Sequence, residues 1–234
     1  MSKSLHDARF PAESPAYRAA RDELLRAELE LGRHLERVAA LRRALPLGGA
    51  AKEDYVFDEG AADLADAETV RRVKLSELFG NKDTLLLYSF MYGPKMAKPC
   101  PMCTSLLDGL NGQAVHLAQR VSFAVAARSP LPRIRAFARE RGWGRLRLLS
   151  SAENGYNADY HAENASGGQL PALNVFVRRD GRVHHFYNTE ALYAPSDPGQ
   201  DSRHVDLLWP LWQALDLTPD GRGADFYPKL SYGA

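Results

Sequence analysis

The chain holds only two cysteines in 234 residues, and they stand three positions apart in Lys98-Pro99-Cys100-Pro101-Met102-Cys103. Two cysteines build no disulfide framework, and a loop closed between i and i+3 is too short to stabilise a fold much through chain entropy. The pair therefore points to chemistry at one place rather than to a staple. Its surroundings say what that place is. Thr84 to Tyr92 is a near-continuous apolar run, Thr-Leu-Leu-Leu-Tyr-Ser-Phe-Met-Tyr, which suits a central strand buried on both faces. Gly93-Pro94 ends the run and a loop carrying Lys95 and Lys98 follows. After the cysteines, the spacing of Leu106, Leu107, Leu110, Ala114 and Leu117 predicts a helix. Any fold this chain adopts must hand a buried strand to a helix with both cysteines at the junction.

Upstream, Ser14 to Leu45 is rich in Ala, Leu, Glu and Arg, with Leu24, Leu31, Val38 and Leu45 recurring every seven residues. This predicts a long amphipathic helix with Ser14 as N-cap and Pro15 at its first position, stopped by Pro46 and Gly48-Gly49. Its apolar stripe needs a cover, and the rest of the chain and a second copy in a homodimer both supply one. Residues 1–50 are thus expected to form an N-terminal helical extension and residues 51–234 the main domain. Within that domain Tyr55-Val56-Phe57 reads as a short strand, and Val73 to Gly80 as a strand end running into a helical turn closed by glycine. Beyond the cysteines come strand Val121 to Ala126, helix Leu131 to Arg141, strand Leu146 to Leu149, and a polar stretch from Ser150 to Gly168. Leu170 to Val177 and Val183 to Tyr187 flank Asp180-Gly181, a strong hairpin signal. A last amphipathic helix is expected near Val205 to Leu215, broken by Pro210 or beginning after it.

The strand–helix alternation argues for a parallel core sheet, giving an α/β class with a central mixed sheet flanked by helices. The order strand, dithiol, helix, strand, proline-led hairpin resembles the thioredoxin-like fold. That resemblance implies a cis Pro171 lying against the dithiol, with Leu170 and Pro171 offering a backbone edge to an extended thiol substrate. With Cys100 at the helix N-terminus and Cys103 one turn inside, the dipole and free N–H groups favour a Cys100 thiolate, and Lys95 or Lys98 adds to the effect. Thiol–disulfide exchange needs one thiolate to attack and a second thiol to resolve, so Cys100 is read as nucleophile and Cys103 as resolver. Arg128, just after a strand, sits where α/β folds gather ligand contacts, and is read with Lys98 as a substrate-binding residue.

Thirty basic and twenty-nine acidic side chains leave a formal charge of +1, so no global field recruits nucleic acid or anionic lipid. No run approaches the roughly 20 apolar residues of a membrane span, and Met1 to Phe10 is polar where a signal peptide is apolar. The expected location is the cytoplasm and the expected partners are protein or low-molecular-weight thiols and disulfides, with no cofactor. No Gly-rich phosphate loop, hydrolase elbow or paired-carboxylate spacing is present to support nucleotide or hydrolytic chemistry.

Several short motifs together carry a further resemblance, from about Pro15 to Arg222: Arg43-Ala44-Leu45-Pro46, Asp54-Tyr55-Val56-Phe57, Phe90-Met91, the Cys-Pro-Met-Cys run, Gly142-Trp143, Arg179-Asp180-Gly181 and Leu215 to Pro219 with Gly221-Arg222. In them the chain resembles a bacterial thioredoxin-like family catalogued as a domain of unknown function. The resemblance implies the fold and leaves the substrate open. This chain carries Ser89 where the family often has a histidine before Phe-Met. A thiol peroxidase is a rival reading, suggested by the Leu75 to Gly80 arrangement, although Ala97 stands where the peroxiredoxin pattern has threonine. Metal handling by the dithiol with His161, His184 or His185 is another, weakened because adjacent strand residues face opposite sides. A non-enzymatic scaffold is the third, with Tyr156, Asn157 and Tyr160 lining a cleft.

Overall fold

The computed structural model describes residues 5–200, 202–223 and 225–232. The chain divides into two compact units, Met1–Pro46 and Leu47–Ala234. The first is built on helix α1 (Pro15–Arg43). Ser14 caps it with extended backbone, its hydroxyl accepting the Tyr17 N–H at 3.1 Å, and Pro15 occupies the first position, where the missing N–H costs nothing. Arg42 and Arg43 fill the last turn, where cations suit the negative end of the helix dipole. Leu24, Leu31 and Leu45 of the seven-residue stripe are exposed.

The second unit holds strands β1 (Val56–Gly60), β2 (Val70–Lys74) and β3 (Thr84–Phe90), helix α2 (Pro101–Leu117), strand β4 (Ser122–Ala127), helix α3 (Leu131–Arg141), strand β5 (Leu148–Ser150), the short helix α4 (Tyr156–Asp159), strands β6 (Ala172–Arg179) and β7 (Arg182–Asn188), and helix α5 (Pro210–Leu215). One sheet takes all seven strands in the order β2-β1-β5-β4-β3-β6-β7. β3, β4 and β5 run parallel, joined by α2 and α3, while β6–β7 and β1–β2 extend the two sides antiparallel. This is the mixed, thioredoxin-like arrangement expected from the alternation. The β6–β7 turn is the Asp180-Gly181 pair, with φ of 51° and 73°, the two positive angles that a type I′ hairpin requires.

Position 2 periodicity in β3 sorts the core into two layers. Tyr88 and Phe90 join Leu106, Leu107, Ile134, Trp143 and Trp209 on the side of α2 and α3; Leu85 and Leu87 join Phe57, Leu78, Phe79, Tyr156 and Phe176 on the other. Ser89 therefore belongs to the face away from α2. Sequence reasoning missed α4, whose residues lie inside the polar stretch, and did not register that Arg135 of α3 is buried, donating to the carbonyls of Ala61, Asp63 and Asp66 at 2.7–2.8 Å.

The expectation of a cis Pro171 is corrected: none of the described peptide bonds is cis. The Leu170 N–H donates to the Ala162 carbonyl at 2.8 Å, so the chain entering β6 is held from the preceding loop and its donor is not open to an added strand. No described helix is long and apolar enough to cross a membrane.

Candidate active site around the dithiol

β3 ends in a loop whose shape is fixed from three sides. The Cys100 N–H donates to the Met91 carbonyl at 3.0 Å, folding the loop back to the end of its own strand. Arg133 of α3 donates to the carbonyls of Pro94 (3.1 Å) and Met96 (2.6 Å), with its guanidinium 4.7 Å over the Tyr92 ring. Ser129, after β4, takes its N–H to the Tyr92 carbonyl at 2.9 Å and its hydroxyl to that of Gly93 at 3.1 Å. A Cβ on Gly93 would lie 2.9 Å from Gln169, so the segment leading to Leu170 and Pro171 abuts the same loop.

Out of this loop Cys100 emerges as the N-cap of α2, half-buried, with Pro101 at the first helical position. Cys103 lies in the first turn, 3% exposed. Both thiols are free. The Thr104 hydroxyl donates to the Cys100 carbonyl at 2.9 Å and fixes the entry of the helix. The Cys100 thiol is pulled down to about 6, chiefly by the hydrogen bond from Cys103, against burial, with help from the N–H groups of Cys103 and Met102 and the Tyr227 hydroxyl. Burial, reinforced by the neighbouring Cys100 charge, pushes Cys103 well up, although the Tyr88 hydroxyl and Met91 N–H draw it the other way. One sulfur is thus half-open and acidic and the other is buried and protonated.

Of the remaining predicted residues, Lys98 is exposed on the loop, and the group that chiefly acidifies Cys100 is Cys103 rather than a lysine. Arg128 serves as a strut: its guanidinium pairs with Glu163 at 2.8 Å and donates to the carbonyls of Ser151, Ala152 and Asn154. Tyr156 and Asn157 are buried, and the Tyr156 hydroxyl accepts from Asn174 at 3.0 Å. Tyr160 lines a cavity of about 730 Å³ with His161, His185 and Tyr193. His184 and His185 are engaged with the Gly48 carbonyl (3.0 Å) and Asn174 (2.9 Å) respectively. Among the described residues no group of three or more His, Cys, Asp or Glu side chains is placed to hold a metal ion. Tyr88 and Met91 entered the sequence reading only as parts of the apolar run and of the Phe90-Met91 motif, and nothing local marks Arg133 or Tyr227.

A family model for a bacterial protein of unknown function, DUF899, matches residues 8–232. The chain belongs to this family. The match runs beyond the Pro15 to Arg222 span in which the motifs were seen and takes in the C-terminal segment bearing Tyr227. Ser89 shares the sheet face of Leu85 and Leu87, away from α2, and lies beside Tyr156. No curated protein matches. Solved structures similar to this DUF899 chain include the reduced 2-Cys peroxiredoxin of Plasmodium vivax (17% identity, 73% of this chain and 96% of that one, TM-score 0.47). AhpC of Enterococcus faecalis (12%, 72% and 93%, 0.46) and the peroxidoxin BcpB of Mycobacterium tuberculosis (18%, 73% and 98%, 0.42) are others.

Proposed function

We propose that this protein is a thiol–disulfide oxidoreductase acting on protein or low-molecular-weight disulfides. The observation that carries the reading is the pairing of a half-open Cys100 at the α2 N-cap, its thiol drawn down to about 6, with a buried Cys103 in the first turn of the same helix. The Cys100 thiolate attacks one sulfur of a substrate disulfide; a Cys100–substrate S–S bond forms and the other substrate sulfur leaves as a thiolate. With Cys100 in a mixed disulfide, the negative charge that held the Cys103 proton is gone. Cys103 then loses its proton to water and attacks Cys100 Sγ, and the second substrate thiolate leaves. Two electrons pass to the substrate and the dithiol becomes a disulfide. Such a cycling pair suits the cytoplasm, where thiols are kept reduced.

The test is Cys103→Ser incubated with cell extract. Mixed disulfides mapped to Cys100 are expected, and none with Cys100→Ser. If no adduct forms and the wild-type dithiol also fails to cycle with glutathione, the reading is wrong. Peroxide consumption is the comparison assay: Ala97 is exposed and offers no hydroxyl where the peroxidase pattern carries threonine, so disulfide turnover is expected to exceed peroxide turnover. A homodimer through the exposed leucines of α1 is proposed as the assembly, checked by sedimentation with Leu31→Glu.

A further inference from the structure

The cavity of about 730 Å³ that Tyr160 lines is formed by the end of α4, the end of β7 and the segments that follow them. It borders Phe176, whose ring meets those of Tyr160 and His185 at 5.0 and 5.4 Å between centroids, and so lies on the layer of the core away from the thiols. Its size is that of a small-molecule site, roughly 300–1,000 Å³. Burial is graded from floor to mouth: Asn188 is buried, Tyr160 and His185 are half-buried, and His161, Glu190 and Tyr193 are exposed. The mouth is braced, because the Tyr193 hydroxyl donates to the His161 carbonyl at 3.2 Å with the two rings 5.9 Å apart. His161 is held there at a φ of 54°, a strained angle for a residue with a side chain.

The polar groups of this cavity are unevenly spent. Asn188, 8% exposed, donates its amide N–H to Asn174 Oδ1 at 2.6 Å, while its own Oδ1 is buried with no hydrogen-bond partner among the described residues. Folded proteins rarely leave so buried an acceptor unmet. The donors are used: His185 Nε2 faces the same Asn174 Oδ1 at 2.9 Å, and the Tyr193 hydroxyl serves His161. Of the two carboxylates, Asp159 is taken by Lys52 at 2.6 Å and the Tyr55 hydroxyl at 2.8 Å. Glu190 has no ion pair among the described residues, and no Lys or Arg lines the cavity. We propose that this cavity is a binding site for an organic ammonium ion with an aromatic body, its charge balanced by Glu190 and the surrounding rings and an N–H donor taken by Asn188 Oδ1. Aromatic rings attract cations as well as apolar surface, and burial keeps His185 neutral, so no imidazolium competes. An anion would meet acceptors and a carboxylate. The inference is independent of the oxidoreductase reading of Cys100.

The experiment is a titration of the reduced, isotope-labelled full-length protein followed by heteronuclear NMR. The probes are tryptamine, tryptophol and indolepropionate, which share a ring and a chain and end in an ammonium, a hydroxyl and a carboxylate. Tryptamine should give saturable shifts centred on His161, Asn188, Glu190 and Tyr193, with a dissociation constant of about 1 mM or below. Tryptophol should bind about fivefold more weakly, and indolepropionate should not saturate. Glu190→Gln, at the exposed mouth, should weaken tryptamine about two- to fivefold and leave tryptophol unmoved. Asn188→Leu should weaken tryptamine about tenfold. Because Asn188 also serves Asn174, the fold of that variant is checked by circular dichroism, and Glu190→Gln decides if it does not fold. The assignment is overturned by the absence of saturable shifts at these residues up to about 20 mM tryptamine. Equal affinity for tryptophol or indolepropionate, or a tryptamine affinity unchanged in Glu190→Gln, overturns it too.

Discussion

Replacing Cys100 with serine should remove a pH-dependent part of the reduced protein's stability. The folded-state pKa of Cys100 is depressed to about 6, and the unfolded chain keeps an ordinary thiol near 8.5. Between those values the unfolded state binds the extra proton, so stability rises with pH. The contribution is fully present above the unfolded value and is lost as pH falls through about 6. Integrating the two titrations gives about 1.4 kcal/mol at pH 7 and about 2.5 kcal/mol at pH 8. Solvent screening at a half-open sulfur reduces these to roughly 1 and 2 kcal/mol. The assay is urea unfolding with a phosphine reductant, followed by fluorescence of the buried Trp143, Trp209 and Trp212, for wild type and Cys100→Ser at several pH values. Taking the difference between the two proteins cancels titrations that the substitution leaves alone, such as that of half-buried His204, which burial draws down. The comparison stops near pH 8, because above the ordinary thiol range Cys103, held protonated by burial, contributes with the opposite sign. A difference that stays constant from about pH 5.5 to 8, or shrinks as pH rises, refutes the reasoning.

Other perturbations test the frame that carries the site. Gly60→Ala places a Cβ 2.5–2.8 Å from the buried Arg135 guanidinium, and should cost about 1–3 kcal/mol in urea unfolding, falling below about 0.5 kcal/mol in an Arg135→Ala background. Asn174→Leu removes the shared partner of Tyr156, His185 and Asn188 on β6, and an unfolding free energy lowered by about 2–3 kcal/mol in urea titrations is expected from the stranded groups. His185 is held neutral by burial, so its folded pKa is depressed. Stability should fall as pH drops below the ordinary histidine range, and His185→Gln should flatten that fall in acid titrations followed by circular dichroism.

What the sequence made legible is local. The dithiol's place followed from an apolar run, a glycine stop and a helical spacing, each read within a dozen residues, and Asp180-Gly181 announced its hairpin because the turn demands two positive φ angles. Arg128 shows where that reading stops. Its position after β4 was legible from the strand order, but whether its guanidinium is free depends on three carbonyls and a glutamate from other loops. Pro171 is the same case: the resemblance implied a cis proline against the dithiol, while its isomer is set by surroundings that no X-Pro dipeptide encodes.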